Sequence, residues 1–123
     1  MILPVRREGA QDGGTMILYG LKTCDTCRKA LAALTAAGHE VELRDIREAP
    51  LTQGERAAFL SAFGDALVNR ASTTWRMLSD DDREASADDL LRGHPALMKR
   101  PVIRDGSRLT LGWKIDVQAL YLK

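Results

Sequence analysis

A strand that gives way to a helix beginning on a cysteine constrains this 123-residue chain more than anything else in it. The apolar run Met16-Ile17-Leu18-Tyr19 ends at Gly20, and a helical pattern starts just past the first residue of Cys24-Asp25-Thr26-Cys27. Ala30, Leu31 and Leu34 recur at helical spacing as far as Ala37, and Gly38 suits the C′ stop. Val41-Glu42-Leu43-Arg44 alternates apolar and polar residues, the mark of a second strand. Strand, helix and strand at this spacing make a βαβ unit with a parallel pair. Cys24 is therefore expected at a helix N-terminus, where unpaired backbone N–H groups favour a thiolate over a thiol.

The middle of the chain reads as helical. Thr52 with Glu55 forms a capping box ahead of Phe59, Leu60 and Phe63, and Gly64 ends that helix. A short piece is expected at Ala66–Asn69. Ser86 with Asp89 resembles a weaker cap before Leu90, Leu91 and the breaker Gly93. Pro101–Arg104 and Ser107–Leu111 read as a hairpin, with Asp105-Gly106 as a tight primed turn. The last stretch, Ile115–Leu122, presents Val117, Leu120 and Tyr121 as one helical face. The order βαβ, helices, ββα predicts an α/β fold, a thioredoxin-like mixed sheet with a helical insertion.

Composition narrows the function classes. Eighteen Lys and Arg against seventeen Asp and Glu leave a net charge of +1, with no electrostatic footprint for direct nucleic-acid or polybasic membrane binding. No apolar run approaches the roughly 20 residues that cross a bilayer. Residues 1–15 read as a flexible leader whose apolar stretch stops at Val5, too short for a secretory signal. Residues 16–123 are expected to form one domain, cytoplasmic and monomeric. In that compartment a close cysteine pair is catalytic, redox-sensing or metal-binding more often than a structural disulfide.

The two cysteines are the only ones present. At i and i+3 their Cα atoms should lie about 5–6 Å apart, within disulfide range. Cys27 reads either as a resolving thiol that attacks a mixed disulfide on Cys24 or as a small core-facing residue. Cys-x-x-Cys is also half a zinc site, but His39 and His94 are the only other soft ligands and stand at no recognised spacing, so no metal is expected. His39, after Gly38, reads as a solvated loop residue, and His94 as part of a turn before Pro95. Arg28 shares the helical face of Cys24 and either adds positive potential there or is simply solvated. Trp75 and Trp113 read as packing residues.

With the motif and Pro101 in place, the chain resembles the arsenate reductase-related (ArsC-like) family, and most of all its Spx/YffB-type branch. The resemblance runs from Met16 to Lys123. It is carried by Tyr19-Gly20-Leu21-Lys22-Thr23-Cys24-Asp25-Thr26, Thr73-Thr74-Trp75-Arg76, His94-Pro95 and Lys99-Arg100-Pro101. It implies that Cys24 is the nucleophile, that Pro101 is a cis proline facing it, and that Arg100 faces the same thiol. Arg70 stands near a second basic position of the family, with Ala71 its rival in register. Thr26 and Arg28, with Arg70 and Pro101, complete the expected substrate-binding set; Cys24, Cys27 and Arg100 form the expected catalytic one. Thr73 and Thr74 are candidates to cap the loop that holds Trp75.

Two departures weigh against a true arsenate reductase. Arsenate-reducing members place a further arginine shortly after the hairpin, where this chain reads Leu109-Thr110-Leu111-Gly112. They also carry a small neutral residue at the position of Asp25, whose carboxylate would repel an oxyanion and partly offset the helix-terminus effect on the thiol. The resemblance implies instead a thiol–disulfide reductase with no bound cofactor, recycled by glutathione, glutaredoxin or thioredoxin. The alternative is a redox-sensing regulator of the Spx type that binds a subunit of RNA polymerase.

Overall fold

Alternation along Met16–Gly20 and Val102–Asp105 decides which side chains face the helices. Residues 15–122 are described by a computed structural model; the leader expected before Met16 lies, but for Thr15, outside the described residues. The elements run β1 (Met16–Gly20), α1 (Asp25–Ala36), β2 (Val41–Asp45), α2 (Gln53–Phe63), α3 (Thr73–Arg76), α4 (Asp80–Arg83), α5 (Ala87–Gly93), β3 (Val102–Asp105), β4 (Arg108–Leu111) and α6 (Ile115–Tyr121). The described residues divide into two units, one ending at Arg44 and resuming at Arg100, the other spanning Asp45–Lys99.

The first unit holds a four-stranded sheet in the order β2-β1-β3-β4. The α1 crossover makes β2 parallel to β1. β3 is antiparallel to β1, with Leu18 opposite Ile103, and β4 is antiparallel to β3, with Asp105 opposite Arg108. The sheet is therefore mixed, in the thioredoxin-like arrangement that the sequence predicts. Every second residue of β1 faces the helices, so Met16 and Leu18 join Ile103 of β3, Cys27, Ala30 and Leu34 of α1, and Val117 and Tyr121 of α6 in one buried cluster. Tyr19, on the opposite side of β1, is buried beneath the Arg44 guanidinium, 5.6 Å from its ring centroid.

Three sequence expectations are corrected in this unit. The hairpin turn is Gly106-Ser107 rather than Asp105-Gly106, because Asp105 still pairs with Arg108; Gly106 supplies the left-handed φ of 62°. Leu120 does not join the buried face of α6 and remains 47% exposed, since Val117 and Tyr121 alone span the contact. His39 is half-buried rather than solvated, its Nε2 lying 2.6 Å from the Tyr121 carbonyl oxygen near the end of α6. A hydrogen bond across 82 residues has no local signature in the sequence.

The second unit is helical. Thr52 Oγ1 accepts the Glu55 N–H at 3.1 Å while Glu55 Oε1 accepts the Thr52 N–H at 2.8 Å, so the expected capping box opens α2. The short piece expected at Ala66–Asn69 is a 3-10 turn at Gly64–Leu67 instead. It leads into a single antiparallel bridge between Val68 and Met98. The cap of α3 is Ser72, whose Oγ accepts the Trp75 N–H at 3.1 Å; Thr73 and Thr74 lie within the helix. Arg56 is buried in this unit, donating to Asp88 Oδ1 at 2.7 Å and to the Leu51 carbonyl at 3.0 Å. Those two partners are what allow a guanidinium to leave water.

Among the described residues no helix is long and apolar enough to cross a membrane.

Candidate active site

The exit from β1 places both cysteines. Cys24 is the N-cap residue of α1, in extended backbone with φ −85° and ψ 118°. Its N–H donates to the Leu21 carbonyl at 3.1 Å, and its own carbonyl accepts the Arg28 N–H at 3.0 Å, the first turn of the helix. Cys24 is half-buried at the edge of the core cluster, whereas Cys27, one turn on, is within it at 1% exposure. Both are free thiols.

The two thiols titrate in opposite directions. Burial alone would raise Cys24, but the backbone N–H and thiol of Cys27 and the Arg100 guanidinium outweigh it and hold Cys24 below the ordinary thiol value. Each of these groups stabilises the anion by a hydrogen bond, and Arg100 adds a full positive charge. Cys27 is pushed up to about 12, first by burial and then by its bond to the Cys24 sulfur and that sulfur's charge; a Leu21 backbone N–H and Arg100 act the other way. One half-buried sulfur whose thiol is lowered thus stands against one buried sulfur whose thiol is raised.

Arg100 reaches this pair from the segment before β3. The Arg100–Pro101 peptide bond is cis, Pro101 is fully buried, and its carbonyl accepts the Gly112 N–H at 2.8 Å. Cys24, Cys27 and Arg100 are thereby brought together within the first unit. Arg100→Met, which keeps the stem and removes the charge, should move the alkylation profile of Cys24 to higher pH. The loss of one partly screened, charge-assisted hydrogen bond should lower the alkylation rate at neutral pH by roughly three- to tenfold. Rates of iodoacetamide reaction across pH check this, and an unchanged profile would remove Arg100 from the site.

The other expected residues are differently placed. Arg28 and Asp25 form an exposed ion pair with one another. The Asp25 carboxylate is accordingly turned to a guanidinium. Thr26 is exposed in the first turn of α1. Arg70 belongs to the helical unit, where it stacks on Trp75 at 5.2 Å and lies 3.9 Å from Asp65. Arg83 lies 5.7 Å from the same indole centroid, so Trp75 packs beside two guanidinium groups. Within the stretch Leu109-Thr110-Leu111-Gly112, Thr110 is buried and bonded to the Tyr121 hydroxyl at 3.0 Å.

Gly20 and Leu21 have parts in the site that sequence reasoning missed. Leu21 binds the backbone of Cys24 through its carbonyl and Cys27 through its N–H. A Cβ at Gly20 would lie 2.4 Å from Cys27 Sγ. The available signal was a glycine closing a strand pattern, which marks a close approach without naming the partner.

Comparison with known proteins bears on this site. The ArsC family profile matches residues 19–118. A protein of Haemophilus influenzae is 36% identical over 101 residues, covering 78% of this chain and 89% of that protein. The global transcriptional regulator Spx of Streptococcus pyogenes is 31% identical over 107 residues, covering 80% of this chain and 78% of Spx. The solved structure of the YffB protein superposes with a TM-score of 0.81 at 29% identity, covering 88% of this chain and 99% of that one.

Proposed function

The chain belongs to the ArsC family, and from that premise we propose that it is a cytoplasmic thiol–disulfide reductase with Cys24 as nucleophile and Cys27 as resolving thiol. The observation that carries this reading is the split between a half-exposed thiol held low and a buried neighbour held at about 12. Only the thiolate attacks a disulfide, so the first step falls to Cys24. Its sulfur bonds to one substrate sulfur, and the other leaves as a thiolate that takes up a proton.

That step also prepares the second. Once Cys24 is bonded to substrate it no longer carries the charge that helps keep the proton on Cys27. Cys27 then ionises more easily and attacks Cys24 Sγ. The Cys24–Cys27 bond forms, the mixed disulfide breaks, and the released thiolate accepts the proton that Cys27 gave up. Glutathione could instead attack the mixed disulfide directly. Glutathione, glutaredoxin or thioredoxin supplies the two electrons that restore the dithiol. Arg100 is suited to hold a carboxylate of a thiol tripeptide or the Cys24 thiolate itself.

A coupled assay tests this: NADPH oxidation with glutathione, glutathione reductase and glutaredoxin, on a mixed glutathione disulfide and separately on arsenate. Turnover is expected on the disulfide and not on arsenate. Cys27→Ser should retain most of the turnover when glutathione is abundant, because an external thiol then resolves the intermediate. Loss of that turnover would make internal resolution obligatory, and turnover on arsenate would contradict the substrate class.

The 31% identity with Spx, together with the Cys-x-x-Cys pair, favours a second reading. There the pair senses oxidant and controls binding to an RNA polymerase subunit. Oxidation-dependent binding should then vanish in both Cys24→Ser and Cys27→Ser. A Cys27→Ser protein that still responds to oxidant would overturn it.

A further inference from the structure

We propose that Gly20 is the positioning residue for Cys27: by lacking a side chain it leaves the space in which the Cys27 sulfur lies within reach of Cys24. The role given to Cys27 rests on the reductase reading; the packing that places it does not.

Gly20 closes β1 and is buried. Its backbone does not require glycine, because the left-handed φ values belong to Gly38, Gly64, Gly106 and Gly112. Space is the reason that remains. A methyl group built at this position would stand 2.4 Å from Cys27 Sγ, 3.3 Å from Cys27 Cβ and 3.4 Å from Leu18 Cδ2. The sulfur would have to move by about 1 Å to restore an ordinary contact. Cys27 has a single side-chain torsion and lies in a cluster with Leu18, Ala30 and Leu34, so it has few places to go.

Such a displacement matters more to chemistry than to folding. Attack on Cys24 Sγ requires the Cys27 sulfur to approach along the line of the bond being broken, and a misplacement of ~1 Å costs about 10²-fold in rate. The Cys24 attack on an external disulfide depends on the Cys27 sulfur only through the hydrogen bond that helps lower the Cys24 thiol, and so loses far less.

The test uses an aromatic disulfide, dithiobis(nitrobenzoate), at one equivalent. The Cys24 thiolate attacks it and releases one thionitrobenzoate. Cys27 then attacks Cys24 Sγ, gives its proton to solvent and expels the second thionitrobenzoate, which leaves with the electron pair. Gly20→Ala should slow the second, first-order phase by about 10²-fold relative to wild type, and far more than it slows the first. Equal slowing of both phases, or none, would overturn the proposal.

Thermal midpoints of Gly20→Ala, Cys27→Ala and the double variant make the second arm. The destabilisation by Gly20→Ala should largely disappear when Cys27 is alanine, because the clashing sulfur has gone. If Gly20→Ala does not fold, recovery of the fold in the double variant supports the proposal, and failure of both overturns it. A wild-type protein with no second phase would remove the resolving role of Cys27, while the stability cycle would still decide whether Gly20 seats its thiol.

Discussion

Cys24→Ser should reduce turnover on a mixed glutathione disulfide to the rate of glutathione alone, a loss of several orders of magnitude. Serine preserves the size of the side chain and its place at the head of α1, but its hydroxyl stays protonated at neutral pH and is a poor nucleophile toward sulfur. The partners that lower the Cys24 thiol, namely the Cys27 N–H, the Cys27 thiol and Arg100, then face a neutral group and have no anion to stabilise. The substitution therefore separates chemistry from folding. Thermal unfolding of the variant should stay close to wild type, so a collapse of activity accompanied by a collapse of stability would leave the nucleophile unassigned. Residual turnover well above the glutathione background would assign the first attack to another group.

Leu34→Ala should be a strongly damaging core truncation in the sheet-bearing unit. Leu34 is fully buried among Met16, Leu18, Ala30, Ile103, Val117 and Tyr121, where α1 meets both the sheet and α6. Removing a buried leucine side chain costs about 2–5 kcal/mol, through lost transfer energy and the cavity that remains. Domains of this size are stable by only about 5–15 kcal/mol, so a large fraction of the total is at stake. Urea unfolding should show a lower midpoint with little change in slope. An unshifted midpoint would mean that α1 is not held through this contact, and that the N-terminal placement of Cys24 has another origin.

Much of the fold was legible because its determinants are local. Met16–Gly20 and Val41–Asp45 alternate or run apolar, and a strongly periodic helix lies between them. The Thr52–Glu55 capping box marks the start of α2. The helices α3 and α4 were missed, since four residues make one turn and show no hydrophobic period. Their only signals were Ser72 and Ser79, each accepting a backbone N–H three residues on. The half-buried His39 and the buried Arg56 were beyond local reading for another reason. Each leaves water by pairing with groups that the tertiary fold supplies, the Tyr121 carbonyl for one and Asp88 with the Leu51 carbonyl for the other.

The candidate site divides along the same line. Cys24 and Cys27 announced themselves by spacing, and the N-cap position of Cys24 followed from the strand-to-helix pattern. The proximity of Arg100 came from a resemblance, because 76 residues separate it from Cys24 and no periodicity links them. Gly20 stayed hidden because a glycine at the end of a strand has many uses, and only the packing names Cys27 as what it accommodates.

Trapping the intermediate tests the division of labour between the two cysteines most directly. Cys27→Ser would be treated with glutathione disulfide, and its intact mass and thiol peptides compared with those of wild type. The expected product is one glutathione on Cys24 of the variant, against an internal Cys24–Cys27 disulfide and no lasting adduct in wild type. A variant whose Cys24 remains unmodified, or a wild-type protein that carries its glutathione on Cys27, would contradict the assignment of Cys24 as nucleophile and Cys27 as the thiol that resolves it.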